Sequence, residues 1–445
     1  MLAVEDGKRV PVEQGKIAPR YLLTEPKAFD KISPAGKMSL ERKAVLVVAD
    51  GLGDRAVENG KTPLQLAKKP ALDGLATEGS TGLMSTLGRG IIPGSDTAHL
   101  ALLGYEPNLY YKGRGPLEAL GVGIELRKGD VAFRCNFATV DRSGRIIDRR
   151  AGRLREEGKE LAKSFQGMVI EGIEVLVFSS TEHRGVLVLR GNGLSPAISD
   201  TDPHGSLPGS VLESTPLEKQ EKAAKTARIV NQVVDRSRGI LSSHPLNKER
   251  KKEGKLPANI ILTRGAGIYE EVPSLEDRYG FTSCCIAGAA LYRGVAKYAG
   301  MSIIEVAGAT GRLDTDVEAK GRACQRALKK FDFVFLHVKG ADSASHDGNL
   351  ENKLLMIEKI DRLAQVLKDE DVYLIVTADH STPLSLGRHS SDPVPVMISG
   401  EGIRRDGVSS FDEISTSRGC LGHLTALELH RITVDLMGFA HLVGS

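Results

Sequence analysis

A run of apolar and β-branched residues, Val372-Tyr373-Leu374-Ile375-Val376, gives way to Thr377-Ala378-Asp379-His380-Ser381-Thr382-Pro383. The run reads as a buried parallel strand, because its apolar residues follow one another without alternation. It places an aspartate and a histidine where a strand of an α/β sheet ends, and open sheets of this kind hold their chemistry at that end. His389 follows nine residues after His380. Anionic oxygen and neutral imidazole at the mouth of a rigid sheet are what a divalent ion needs. Taken alone, the pair reads equally well as a helix N-cap beside a surface histidine.

Other strand ends repeat the pattern. Ala44-Val45-Leu46-Val47-Val48-Ala49 ends in Asp50-Gly51-Leu52-Gly53-Asp54, where Asp50 is either a turn residue or a ligand. Gly60-Lys61-Thr62 resembles the end of a P-loop, but Arg55 stands where the first glycine belongs. Thr62-Pro63 instead starts a helix, with proline at its first position. Phe331 to Val338 reads as a strand running into Lys339-Gly340-Ala341-Asp342-Ser343-Ala344-Ser345-His346. Asp342 and His346 stand four apart, so one helical turn sets both on one face. Gly88 to Gly94 makes a loop, and a helix can start over Thr97 to Leu103. Ser95 then stands at its N-terminus. An N-cap is the plain reading of that serine. The same exposed N–H groups and dipole favour an anion there, such as a phosphoserine.

The 445 residues exceed one compact core and suit about two domains. Lys and Arg number 60 against 57 Asp and Glu, which gives no reason to invoke nucleic acid or a charged membrane surface. No apolar run approaches ~18–20 residues, so no membrane span is predicted. The cysteines are Cys135, Cys284, Cys285, Cys324 and Cys420, odd in number and without a C-x-x-C, which predicts reduced thiols in a cytoplasmic protein. Residues 1–42 mix charge, Pro and Gly without a period and lack a signal-peptide core, so they read as a poorly ordered or surface-draped extension. Met38 is a possible alternative start.

From about residue 128 the texture changes. Val131 to Val140 and Gly185 to Arg190 read as strands, and between them lies Asp148-Arg149-Arg150-Ala151-Gly152-Arg153. Such a cluster is either a solvated face or a bidentate clamp for phosphate or carboxylate. Thr201-Asp202-Pro203-His204-Gly205 is a polar turn holding another histidine. Residues 217–242 place Ala223, Ala227, Val230 and Val234 on one helical face. Lys248 to Lys255 reads as a polar connector. Regular α/β texture resumes at Asn259 to Gly267, which includes Arg264. Cys285 to Ala299 reads as a small-residue helix, and Asn352 to Lys368 as another.

Asp50, Asp342, His346, Asp379, His380 and His389 then supply carboxylate and imidazole without thiolate, which suits two divalent ions such as Mn²⁺, Mg²⁺ or Zn²⁺. Two such ions can clamp an in-line phosphoryl transfer, and one can activate a serine hydroxyl. These segments resemble the alkaline phosphatase superfamily. More narrowly, the chain resembles the archaeal type of cofactor-independent phosphoglycerate mutase. The resemblance is carried by Ala49 to Asp54, Pro93 to His99, Tyr111 to Gly115, Glu118 to Gly123, Asp148 to Arg153, Arg264 to Gly267 and the two Asp/His segments, and it runs from about Lys43 to the C-terminus. Ser345 stands where that pattern expects glycine.

The resemblance implies an α/β fold with a mostly parallel, alkaline-phosphatase-like sheet flanked by helices. A catalytic domain over 43–127 and 251–445 would be interrupted by a smaller α+β substrate domain over 128–250. It implies that Ser95 is the nucleophile and is transiently phosphorylated. Asp50, Ser95, Asp379 and His380 would hold one metal, and Asp342, His346 and His389 the other. Asp148, Arg149, Arg150, Arg153, His204 and Arg264 are assigned to the small-molecule substrate on position and chemistry. The implied reaction interconverts 2- and 3-phosphoglycerate in glycolysis and gluconeogenesis without added 2,3-bisphosphoglycerate. A metal-dependent phosphatase or a phosphopentomutase of the same superfamily is the alternative. A non-catalytic binding module would require a missing nucleophile or ligand. The oligomeric state is left open.

Overall fold

The computed structural model describes residues 42–152, 154, 157–203 and 209–442, together with the backbone of 2–5 and 8–11. Its larger sheet has the strand order Ser302–Ile303, Ser283–Ile286, Phe333–Val338, Ala44–Ala49, Tyr373–Thr377, Val394–Ser399, Ser80–Met84, Gly422–Leu424. All strands run one way except Val394–Ser399, which opposes both neighbours. The central strands are buried along their whole length, as unbroken apolar runs require when helices cover both faces of a parallel sheet. Helices Ala290–Tyr298, Val317–Ala327, Leu350–Leu367 and Ala426–Leu436 contribute Val295, Cys324, Ile360 and Leu429 to this core. The fold is therefore α/β with a mostly parallel sheet flanked by helices, as the sequence predicts.

Register positions the site. Ala49 pairs with Val338 on one side, and Val48 pairs with Thr377 on the other. The polar segments that follow these strands thus leave the sheet at one level. Asp50, the Lys339–His346 turn and Asp379-His380 meet there although up to 330 residues separate them.

A second, antiparallel sheet has the order Ile260–Ile268, Val131–Val140, Arg184–Arg190, Ile173–Ser179, Met168–Ile170, with Ile146–Asp148 paired to Val131–Val140. Helix Glu221–Ser243 buries Ala223, Ala227, Val230 and Val234, the face that the spacing predicts, in a core with Phe137, Leu187 and Ile261.

The structure departs from the sequence reading in four places. Strand Ile260–Ile268 pairs with Val131–Val140 over Ile260↔Ala138 to Ile268↔Val131, so the second sheet extends past residue 250. An apolar run does not encode which sheet will accept it. The supposed connector Lys248–Lys255 is largely helix Pro245–Lys252, capped by the His244 side chain and anchored by buried Asn247 and Arg250. Cys285 lies in strand Ser283–Ile286, wholly buried between parallel neighbours, and the helix starts only at Ala290. In the 1–42 extension, Leu2–Glu5 and Lys8–Pro11 pair as an antiparallel hairpin within a separate small unit. The rest of the expectation for 1–41 lies outside the described residues. Among the described residues no helix is long and apolar enough to cross a membrane.

Candidate active site

Gly51 lets the three polar segments touch. Its φ is +65°, and a Cβ there would lie 2.7 Å from the Asp342 Cα and 2.9 Å from Thr382 Oγ1. Its N–H donates to Asp379 Oδ1 at 3.1 Å. A side chain at this position would be strained in backbone and would push the Asp342 turn away. Asp50, just before it, is fully buried. Its Oδ2 accepts from the Tyr292 hydroxyl, from His337 Nε2 at 3.1 Å and from Lys339 Nζ at 3.4 Å. The carboxylate therefore does not cap its own turn, which removes the plain turn reading.

Ser95 is the first residue of helix Ser95–Leu102, whose N-cap is Gly94 and which has no side-chain cap. The N-cap reading of Ser95 is thereby overturned, because the glycine takes that position and frees the hydroxyl. Ser95 Oγ lies 3.2 Å from His380 Nε2. Thr382 Oγ1 donates to Asp342 Oδ1 at 3.2 Å and so accepts from His380 Nδ1 at 3.0 Å. That assigns the proton to Nδ1 and turns the Nε2 lone pair toward Ser95, Asp379 Oδ2 at 3.0 Å and Asp50 Oδ1 at 3.6 Å. Both carboxylate oxygens are buried without a hydrogen-bond partner.

The second cluster repeats this logic. His346 Nδ1 donates to the Gly387 carbonyl at 2.8 Å, and His389 Nδ1 to the Pro93 carbonyl at 2.9 Å. Their Nε2 atoms face Asp342 Oδ1 at 3.3 and 3.7 Å. In each cluster, acceptors point at acceptors. Each of the sets Asp50–Asp379–His380 and Asp342–His346–His389 has one ligand atom per residue within 4.8 Å of the others. Buried, converging lone pairs are relieved by a cation, and imidazoles held through Nδ1–H to carbonyl or hydroxyl are the usual supporting arrangement. The residues thus fit a divalent ion in each set. The first set is fully buried, whereas His389 is half-buried and His346 exposed.

Lys339 bridges the carboxylates of Asp50 and Asp342: its Nζ is 2.6 Å from Asp342 Oδ2. Burial raises the Asp50 pKa, but Lys339, followed by His337, outweighs it and holds the carboxyl well below its usual range. Burial and Asp50 push Asp342 up, while His346 and Lys339 bring it down to about 2. His346 is raised by its contact with Asp342. His380 is lowered by burial but raised overall by Asp379. Burial and the neighbouring His380 lower His389, so of the three imidazoles only His346 and His380 are favoured to hold a proton.

The basic segment lines a different space. Asp148, Arg149, Arg150 and Arg264 surround a cavity of about 370 Å³ together with Asn136, His183 and Arg184. Asp148 accepts the backbone N–H of Arg150 at 2.8 Å and of Gly152 at 2.7 Å, so it shapes the turn that carries the arginines. Arg149 pairs with buried Asp202 at 2.6 Å. Arg153 and His204 lie outside the described residues. Burial lowers Arg264 despite Asp202, with Arg149 and Arg114 adding to the effect, and brings Arg134 down to about 10, with Arg114 and Arg264 contributing. Mutually repelling guanidiniums mark a space suited to an anion. Nearer the serine, Tyr111 donates to Asp96 at 2.8 Å; separately, Arg114 donates to Glu118 at 3.0 Å, and Arg134 lies 3.4 Å from Glu118.

A family model described as 2,3-bisphosphoglycerate-independent phosphoglycerate mutase matches residues 76–247. A Methanocaldococcus jannaschii protein of that name is 48% identical over 401 residues, covering 89% of this chain and 97% of its own. The chain belongs to this mutase family. An Archaeoglobus fulgidus member is 47% identical over 90% of this chain and 99% of its own. A solved Pyrococcus horikoshii protein is 35% identical with a TM-score of 0.80, covering 91% of this chain and 100% of its own. The cofactor-independent phosphoglycerate mutase of Thermoplasma acidophilum, also 35% identical, has a TM-score of 0.66 over 89% and 99%. Within this family setting, Lys339, Tyr292, His337, Thr382, His183 and Arg184 are additions to the residues predicted from sequence. Lys339 was the most accessible of them, since it opens the polar run after a strand. Tyr292 carried no signal, because its helix joins the site only by packing.

Proposed function

We propose that this enzyme interconverts 2-phosphoglycerate and 3-phosphoglycerate through a phosphoserine on Ser95, at a site that holds two divalent ions. The observation that carries the reading is the Ser95 hydroxyl, free of any capping role, 3.2 Å from His380 Nε2 of the Asp50–Asp379–His380 set. Asp50, Ser95, Asp379 and His380 would hold one ion, and Asp342, His346 and His389 the other. Mn²⁺, Mg²⁺ or Zn²⁺ there would supply charge stabilisation for phosphoryl oxygens and acidify the serine hydroxyl.

The chain's own groups do the rest. Helix Ser95–Leu102 directs its N-terminal N–H groups and dipole at the charge arriving on Ser95. Lys339 adds a fixed positive charge between the carboxylates. The phosphoryl group passes to Ser95 Oγ, the glycerate re-orients, and its other hydroxyl takes the group back. Because the serine stores the phosphoryl group, no 2,3-bisphosphoglycerate is needed. Residues 128–268 act as the substrate-binding region. There Arg149, Arg150 and Arg264 hold the glycerate carboxylate by paired charge-assisted hydrogen bonds, and Arg153 and His204 are assigned to the same task from the sequence. Asp148 sets the turn. The substrate is a small molecule of glycolysis and gluconeogenesis, and the five unpaired cysteines suit a cytoplasmic setting.

The test is to strip the enzyme of metal, reload it with Mn²⁺, and give it each phosphoglycerate separately while following both isomers and free phosphate. Formation of the other isomer without added bisphosphoglycerate is expected. Phosphate release with no isomer would overturn the mutase reading in favour of a phosphatase.

A further inference from the structure

The two carboxylates of the first ligand set are treated alike. In Asp379, Oδ1 accepts the N–H groups of Gly51 and His380, each at 3.1 Å, and Oδ2 is left open. In Asp50, Oδ2 takes every donor and Oδ1 takes none. Backbone does this for Asp379. For Asp50, side chains outside the ligand sets do it: besides the longer contact from Lys339, they are Tyr292 from helix Ala290–Tyr298 and His337 from strand Phe333–Val338. Both are buried. Their rings stack with centroids 3.5 Å apart and planes 22° from parallel. Neither donor can swing away without breaking that stack.

Resting on the metal assignment above, we propose that Tyr292 and His337 are positioning residues that saturate Asp50 Oδ2 and so present Oδ1 alone to the ion shared with Asp379 and His380. Without them, only the longer Lys339 contact holds Oδ2, and the carboxylate turns more freely or uses both oxygens. Partners that orient a ligand in this way typically govern metal affinity by roughly 10- to 100-fold. The effect belongs to one ion only. Asp342, His346 and His389 make no hydrogen bond to Tyr292 or His337 among those described.

The experiment uses the full chain, stripped of metal and titrated with Mn²⁺ by calorimetry, with the bound ion followed by electron paramagnetic resonance. Tyr292→Phe and His337→Phe each remove a donor and keep a stacking ring. Asp50→Asn tests the metal assignment itself. Tyr298→Phe, on the same helix as Tyr292, removes a hydroxyl that donates to the Tyr110 carbonyl and is the packing control. One class of site is expected to weaken by roughly 10- to 100-fold in each aromatic variant, with an altered Mn²⁺ spectrum, while the other class keeps its affinity. Wild-type binding in both aromatic variants, alongside loss of one class in Asp50→Asn, would overturn the positioning role and leave the metal assignment intact. Unchanged binding in Asp50→Asn would overturn the metal assignment, and the positioning role with it. Equal weakening of both classes with a fall in melting temperature beyond that of Tyr298→Phe would reduce Tyr292 and His337 to general packing.

Discussion

The metal-ligand clusters and the arginine cavity are opposite in charge and are built differently. In the first sheet, carboxylates and imidazoles follow the ends of parallel strands, and each is fixed by a named partner: Asp50 by Tyr292, His337 and Lys339, Asp379 by the Gly51 N–H, His380 and Asp342 by Thr382, and His346 and His389 by backbone carbonyls. In the second, the cations project from separate antiparallel strands and one turn, around an open space of about 370 Å³. Arg150 and Arg184 there are exposed, whereas Asp50, Asp379 and His380 are fully buried. A reacting phosphoryl group needs groups already in place. Under the proposed mechanism, a glycerate that turns around between two phosphoryl transfers would need room and long, adjustable cations. The contrast teaches that rigidity and latitude can be divided between two sheets of one chain.

The sharpest way to break this division is Ser95→Ala. It should lower turnover by at least about a thousandfold while the melting temperature stays near wild type. Retained isomerisation in a coupled assay would move the nucleophile elsewhere. Next, Arg150→Ala and Arg264→Ala should each weaken substrate holding by roughly 2–4 kcal/mol, about 30- to 1000-fold, with metal content unchanged. Phosphate release relative to isomer formation should rise, because the glycerate escapes before it takes the phosphoryl group back. Wild-type isomerisation with no extra phosphate would make these arginines a solvated face. Asp342→Ala and His389→Ala should do the reverse, losing the ion that they share and lowering activity by roughly 10- to 100-fold. Full metal content by elemental analysis would dissolve that ligand set.

The smallest effect concerns His183. Burial, reinforced by Arg184, pushes it down to about 4. A histidine whose folded pKa lies below its unfolded value contributes stability that is complete above about pH 6.5 and is lost as pH falls toward 4, since the unfolded chain takes up the proton first. Lowering the pH from 6.5 to 5 should therefore cost the metal-free protein roughly 1–2 kcal/mol through this group, and His183→Gln should flatten that slope in denaturant titrations. An unchanged slope would show that the cavity hydrates the ring better than its burial suggests.

The amino-acid sequence alone determined the ends of the central strands, the polar segments hung on them, the helix face of Ala223, Ala227, Val230 and Val234, and the pairing of Asp342 with His346. Each of these is local: an apolar run stops where its loop begins, and a four-residue spacing is one helical turn. Only the tertiary structure decided that Ile260–Ile268 joins the second sheet, that Gly94 rather than Ser95 caps its helix, and that Tyr292, His337 and Lys339 converge on Asp50. Sheet partners and donors to a buried carboxylate are set by register and packing between residues far apart in sequence. At Asp50 the two nearest donors stand more than 240 residues away, and no local pattern in the chain records such a distance.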